Sequence, residues 1–523
     1  MFGKWSRRDL LKTSGAVGGA AMVPLAAGTD QAQGLPIHSG TDGDNLFTRI
    51  GVRPILNASG TYTIISGSRS LPEVKQAMFE ASHYFVQMDE MMDAIGGELA
   101  RLTGAEWGIV TNGCEAAICL ATLACIAGGD VEKSQALPYV KAKDQVIVPG
   151  HSRNPYDVGV RMVGAEIVEV NTTDELHTRI SERTAMIYVM SDPREARSAL
   201  PIRTICTIAR EHGVPVFVDA AAEEPIKPNI HLAVGATLVA YSGGKCLRGP
   251  QSSGMLLGDK ELCKAAYLQA APHHNYGRAL KCSKEESMGL LAAVRQWYKR
   301  DHEAEQRMWR GWLETIEARL KPLPVTFEYL QPADLSNKST RLRIHWDAAK
   351  LGITGTEVVA RLDEGTPRIR VESGTGMRPG QMESTLTIMP YMMDPGEDRI
   401  VADTLSAIMS RPGPIAEIAP PKGGPVSVQG DWAVTVKYVR GEGHQQFALS
   451  QSDDAVTGTH KGEIYQGKVT GEARGEGVEL RSHMPVSGSA IAWAFKGRVQ
   501  GNRMSGTVDM GEYGSATWMA VRT

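Results

Sequence analysis

No stretch of this chain stays apolar for the roughly 18 residues a membrane-spanning helix needs, so the sequence predicts no span and no membrane anchor. Neither sign of charge dominates. The chain has 56 Lys and Arg against 59 Asp and Glu, a net charge of -3, and the two signs are interspersed. That leaves no basic field to attract nucleic acid. The seven cysteines (Cys114, Cys119, Cys125, Cys206, Cys246, Cys263 and Cys282) are an odd number and lie only in the central part of the chain. They form no CxxC pair and no Cys/His pattern with zinc spacing, which argues against a disulfide framework and against a zinc site. They read instead as small buried apolar residues. His273 and His274 are not at metal-binding spacing either, and no metal is expected. After residue 425 there is no cysteine, and Pro485 is the only proline.

The chain's 523 residues, 42% apolar and 22% charged, have room for two or three domains. The first of its features is an address. Arg7 and Arg8 lie in SRRDLLK, ahead of a weak Ala/Gly-rich apolar run from Ser14 to Gly28. Residues 1–34 look like a twin-arginine signal, read by the export machinery, which predicts a periplasmic or exported protein. A short basic amphipathic helix is the competing reading. Folding in the cytosol before export accords with free thiols.

From about residue 45 to 300, helical patterns alternate with short strands apolar on both faces: QVIVPG, AEIVEV, AMIYVM, VPVFVDA and TLVAYSGG. Such strands predict an α/β domain around a mostly parallel sheet covered on both sides. Lys284 to Leu320 has helical spacing and no proline, and reads as one long helix crossing into a smaller α+β domain (301–410). TRLRIHW, PRIRVES and STLTIMP are the strands of that domain. Residues 411–425 contain five prolines and read as a linker. Residues 426–523 then show about eight short strands separated mostly by glycine turns, which predicts an antiparallel meander closed into a small lipocalin-like barrel. Trp432, Trp493 and Trp518 are expected in its core rather than on a sugar platform.

One lysine stands out, Lys245 in YSGGKCLRGPQSSG. A P-loop would need glycine where Val239 stands and a hydroxyl where Cys246 stands, so that reading fails. Taken alone, Lys245 is an ordinary lysine in a turn. Its neighbours change the weighing. Asp219 ends the strand VPVFVDA, and Lys245 follows 26 residues later, just past the next strand. Upstream, GIVTNGCEAAI places a turn at a helix N-terminus, where free N–H groups suit a phosphate. A phosphate cup, an acid for a pyridine nitrogen and a lysine for an aldehyde are together what pyridoxal 5'-phosphate requires.

At this point the chain resembles a family. LNASGTYTIISGS, LTGAEWGIVTNGCEAAI, VIVPGHSRNPYDVGVRMVGAEIVEV, FVDAAAE, YSGGKCLRGPQSSGMLLG and NYGRALKCSKEESMGLLAAV are similar, in order and spacing, to segments of fold-type I pyridoxal-phosphate enzymes. Within them the likeness is to the branch of selenocysteine synthase and D-glucosaminate-6-phosphate ammonia-lyase. The resemblance implies a large α/β domain with a small α+β domain, bound pyridoxal phosphate and a homodimer. It assigns Lys245 to the Schiff base and Asp219 to the pyridinium nitrogen. Asn112, Gly113 and Cys114 would bracket the phosphate, with Ser242 adding a hydroxyl, and His151 would stack near the ring. Glu115 departs from the family's run of small residues and would repel a phosphate unless it turns away. Arg278 and Lys281 are candidates for a phosphate or carboxylate, Arg368 or Arg370 for the substrate carboxylate, and Glu223 for reaching the site. The competing reading is solvated charges for Arg278, Lys281 and Glu223, and strand-face charges for Arg368 and Arg370.

The expected activity acts on an amino acid or amino-sugar acid through an external aldimine, with α,β-elimination favoured: a β-leaving group departs, and hydrolysis then gives ammonia and a keto acid. Racemisation and transamination share the first steps and stay open. An export address speaks against charged tRNA and sugar phosphates, so an unphosphorylated substrate is expected. The rival from another class is an exported binding protein whose catalytic domain is retired.

Overall fold

The computed structural model describes residues 43–140, 142–332, 335–377, 381–413 and 426–523. The segment read as a twin-arginine signal and most of the stretch read as a linker lie outside them. Three apolar cores organise the rest.

The first core surrounds a seven-stranded sheet. In space its strands run Trp107–Thr111, Gly254–Gly258, Leu238–Ser242, Val216–Asp219, Thr184–Met190, Gln145–Pro149 and Glu166–Val170. All pairings among the last five are parallel, and Gly254–Gly258 alone runs antiparallel to its neighbours. Strands apolar on both faces demand cover on both sides. The helix Gly113–Ala127 supplies part of it and is buried at every residue from Ala116 on. That burial accounts for its alanines and for Cys119 and Cys125. All seven cysteines are free thiols.

The predicted single helix over 284–320 is two. Lys284–Trp297 starts on a Ser283/Glu286 capping box, and His302–Leu320 starts on Asp301, whose carboxylate accepts the Ala304 N–H. A cap residue suffices to begin a new helix without proline. The second core lies under an antiparallel four-stranded sheet of Ser373–Met377, Gln381–Ile388, Arg341–Asp347 and Thr326–Leu330. Beside it, the early strand Leu56–Ala58 pairs in parallel with Ile369–Val371. The LNASG segment is thereby tied to the strand that carries Arg370 and starts just after Arg368.

The third core fills a closed barrel of eight antiparallel strands from Gly430–Lys437 to Ser515–Arg522, with first and last strands paired. Its strands alternate buried and exposed residues, as a single filled interior requires. Trp432, Trp493 and Trp518 all lie in that interior. Among the described residues no helix is long and apolar enough to cross a membrane, and no group of three or more His, Cys, Asp or Glu is placed to hold a metal ion.

Candidate active site

The carboxyl ends of the parallel strands gather the site. Asp219 closes Val216–Asp219 with only 2% of its surface exposed. A buried carboxylate needs donors, and Asp219 has three. Tyr188 Oη donates to Oδ2 at 2.9 Å, and the Ala221 N–H donates to Oδ1 at 3.0 Å. The Cys114 thiol points at Oδ1 from 3.4 Å. Burial first, then the charge of Asp219, pushes the Cys114 thiol well up, so it stays a protonated donor. The same two causes raise Tyr188. Tyr188 in turn accepts from Asn154 Nδ2 at 3.1 Å.

Lys245 lies in the turn just past Leu238–Ser242, the strand beside that of Asp219. The turn is pinned by Gly243 N–H to Ser253 O, 2.8 Å, and by Arg248 N–H to Lys245 O, 2.9 Å. The Lys245 charge reaches Cys114, where it opposes the rise in the thiol's pKa. Lysine, thiol and aspartate therefore form one neighbourhood.

The expected phosphate cup is the start of Gly113–Ala127. Asn112 holds the N-cap position, but its side chain makes no capping bond and donates to Lys281 O at 2.8 Å. The first-turn N–H groups thus get no side-chain cap. Gly113 is left-handed at φ +79°, and a Cβ there would meet open space. Behind the cup the packing is tight: a Cβ on Gly254 would come within 2.5 Å of Gly113 C. His151 is half-buried in the turn Gly150–Ser152, and its Nε2 is buried with no hydrogen-bond partner. Burial holds its imidazole below the ordinary pKa. An open cradle before bare N–H groups, an orphaned imidazole nitrogen and an anchored buried carboxylate fit pyridoxal phosphate.

The other expected residues fall as follows. The Cys114 side chain faces Asp219, leaving its backbone as the part that belongs to the cup. Glu115 lies on the exposed side of the helix start, and its carboxyl is raised by burial and by Asp219. Ser242 is half-buried at its strand's end. Arg278 is half-exposed and Lys281 exposed, and Asn112 ties the Lys281 backbone to the cup. Arg368 and Arg370 both pair with Asp363, at 2.9 and 3.1 Å. Glu223 is buried, with its oxygens engaged by Ser191 Oγ and His231 Nε2, each at 2.6 Å. Sequence reasoning missed Tyr188 and Asn154. Tyr188 sits in an otherwise apolar strand, and only the lone hydroxyl in AMIYVM marks it.

A family model described as Cys/Met metabolism PLP-dependent enzyme matches residues 33–283. A 5'-C-glycyluridine monooxygenase-decarboxylase from Streptomyces sp is 30% identical over 371 residues, 68% of this chain and 90% of that protein. The chain belongs to the pyridoxal-phosphate-dependent enzymes. This enzyme is also 29% identical, over 332 residues, to a D-glucosaminate-6-phosphate ammonia lyase of Salmonella typhimurium, covering 61% of this chain and 87% of the relative. A solved D-glucosaminate-6-phosphate ammonia-lyase structure superposes with a TM-score of 0.61 at 26% identity. All of that chain is matched by 70% of this one, so part of the present enzyme has no counterpart there.

Proposed function

We propose that this enzyme is an ammonia-lyase acting on an amino acid or amino-sugar acid. The observation that carries the reading is the triple-donor anchoring of Asp219 beside Lys245, on a scaffold of which 70% matches a solved ammonia-lyase over all of that lyase's chain. When bound, pyridoxal phosphate supplies a carbonyl that condenses with amines and a ring that accepts an electron pair.

The chain's residues supply the rest. The bare N–H groups at the start of Gly113–Ala127 and the Ser242 hydroxyl hold the phosphate. Asp219 would hold the proton on the pyridine nitrogen, its carboxylate aimed by its three donors. His151 would cover the ring face. The Lys245 amine takes the proton from the substrate's α-carbon. Departure of a β-hydroxyl, followed by addition of water and loss of ammonia, converts a 2-amino-3-hydroxy acid into a 2-keto acid. The atoms balance without an oxidant. Arg368 or Arg370 receives the substrate carboxylate, which has to share or displace Asp363.

A second reading rests on the Streptomyces relative, which matches more of this chain than the lyase does. It is oxidative decarboxylation, which consumes dioxygen and releases carbon dioxide. Incubating the holoenzyme with 2-amino-3-hydroxy acids and amino-sugar acids, in air and under argon, separates the two. Ammonia and keto acid under argon support the lyase. Product only in air, with carbon dioxide release, supports the second reading. No turnover of either kind contradicts both.

A further inference from the structure

The barrel touches the catalytic domain at a telling place. Its strands Gly477–Val486 and Ser489–Gln500 are joined by the two-residue turn Ser487–Gly488. That turn lies on the loop after Gln145–Pro149, the loop that carries His151 and Asn154. Arg153 Nη2 donates to Ser487 Oγ. The same guanidinium holds Asp157 Oδ2 at 2.7 Å and Glu169 Oε2 at 3.0 Å. Gly488 is left-handed at φ +70° and packs so closely that a Cβ there would overlap Asn154 O and stand 2.6 Å from Asp157 Oδ2.

From this contact a continuous chain of bonds leads inward. Asn154 Nδ2 donates to Ser152 O at 2.6 Å and to Tyr188 Oη at 3.1 Å, and Tyr188 donates to Asp219 at 2.9 Å. A second barrel turn, Gly511–Tyr513, carries Glu512. The phenol of Tyr156, on the same loop, is pushed up by burial, then by the charges of Asp219, Glu115 and the barrel's Glu512. One residue of the loop thus senses the barrel and the cofactor acid together.

We propose that the barrel is a positioning element of the cofactor site, its Ser487–Gly488 turn fixing the His151–Asp157 loop and, through Asn154 and Tyr188, the carboxylate of Asp219. Ser487 and Gly488 are positioning residues and touch neither substrate nor cofactor. The inference rests on the assignment of Asp219 to the pyridine nitrogen. It gives the barrel a task inside its own chain, with no external ligand.

The barrel carries its own control. Gly501, in the next hairpin turn, is also left-handed at φ +57°, but a Cβ there meets nothing within 4 Å. Gly488→Ala and Gly501→Ala therefore impose similar backbone strain, and only the first presses on the cofactor loop. The experiment is titration of the full-length apoenzyme with pyridoxal phosphate, read by visible absorption and by circular dichroism of the bound ring. G488A is expected to weaken binding about tenfold and change the dichroic band, with G501A within about twofold of wild type. Ser487→Ala, which removes only the hydroxyl, is expected to shift the dichroic band with a smaller loss of affinity, and it serves if G488A does not fold. Equal affinity and equal dichroism in G488A, S487A and wild type overturn the proposal and leave the cofactor reading standing. Failure of the wild type to bind overturns both.

Discussion

Tyr188 Oη donates to Asp219 Oδ2 across 2.9 Å, and both side chains are buried on adjacent parallel strands, Asp219 at the end of its own. A hydrogen bond to a buried charge is worth about 1.5–3 kcal/mol. Tyr188→Phe keeps the ring stacked 5.9 Å from Phe217 and removes only the hydroxyl. It is expected to weaken pyridoxal phosphate binding about tenfold, measured by titration of the apoenzyme, with the fold intact by circular dichroism.

Asp219→Asn keeps the shape and loses the charge. Binding is expected to fall modestly, because the residues proposed to hold the phosphate are untouched. Turnover is expected to fall by about 10²–10³-fold, the size of losing a preorganised electrostatic partner. Steady-state kinetics with saturating cofactor checks this, and an unchanged kcat contradicts the role.

Gly254→Ala drives a methyl into the back of the proposed phosphate cup, 2.5 Å from Gly113 C. Overpacking of this kind costs about 1–3 kcal/mol. The expected result is loss of cofactor retention on gel filtration, with inorganic phosphate or added pyridoxal phosphate rescuing thermal stability less than in wild type.

The barrel has an acid-sensitive element. His460 is fully buried between Gln445 Oε1 at 2.7 Å and Ser482 Oγ at 3.0 Å, among Phe447, Trp493 and Phe495. Burial alone lowers its pKa from 6.5 to about 4. Because the folded value is depressed, the unfolded chain binds the extra proton between those limits. The stabilisation is complete above the unfolded pKa and is lost as pH falls from 6.5 to about 4. It amounts to about 3 kcal/mol at most. His460→Gln is expected to flatten the acid limb of a pH–denaturation profile followed by tryptophan fluorescence. An unchanged acid limb contradicts it.

Much of this enzyme was legible in its sequence because the signals were local. Strands apolar on both faces announced a covered sheet, glycine turns at regular intervals announced the barrel, and Asp219 and Lys245 were marked by their places at strand ends. What escaped depended on contacts distant in sequence. The break near Asp301 needed no proline or glycine, so helical periodicity ran straight through it. The pairing of Arg368 and Arg370 with Asp363 links a helix to the strand after it, and charge patterns alone do not order such partners. Asn154, Tyr188 and Gly488 lie far apart in the chain, and only folding shows that they form one line of support to Asp219.

The central claim is that Lys245 carries the cofactor. It is tested most directly by treating the holoenzyme with borohydride, which fixes the linkage, then digesting it and locating the pyridoxyl group by mass spectrometry, with Lys245→Ala alongside. The account predicts a pyridoxyl group on Lys245 in the wild type and none in the variant. A label on another lysine, such as Lys281 or Lys284, or a variant labelled as fully as the wild type, would contradict it.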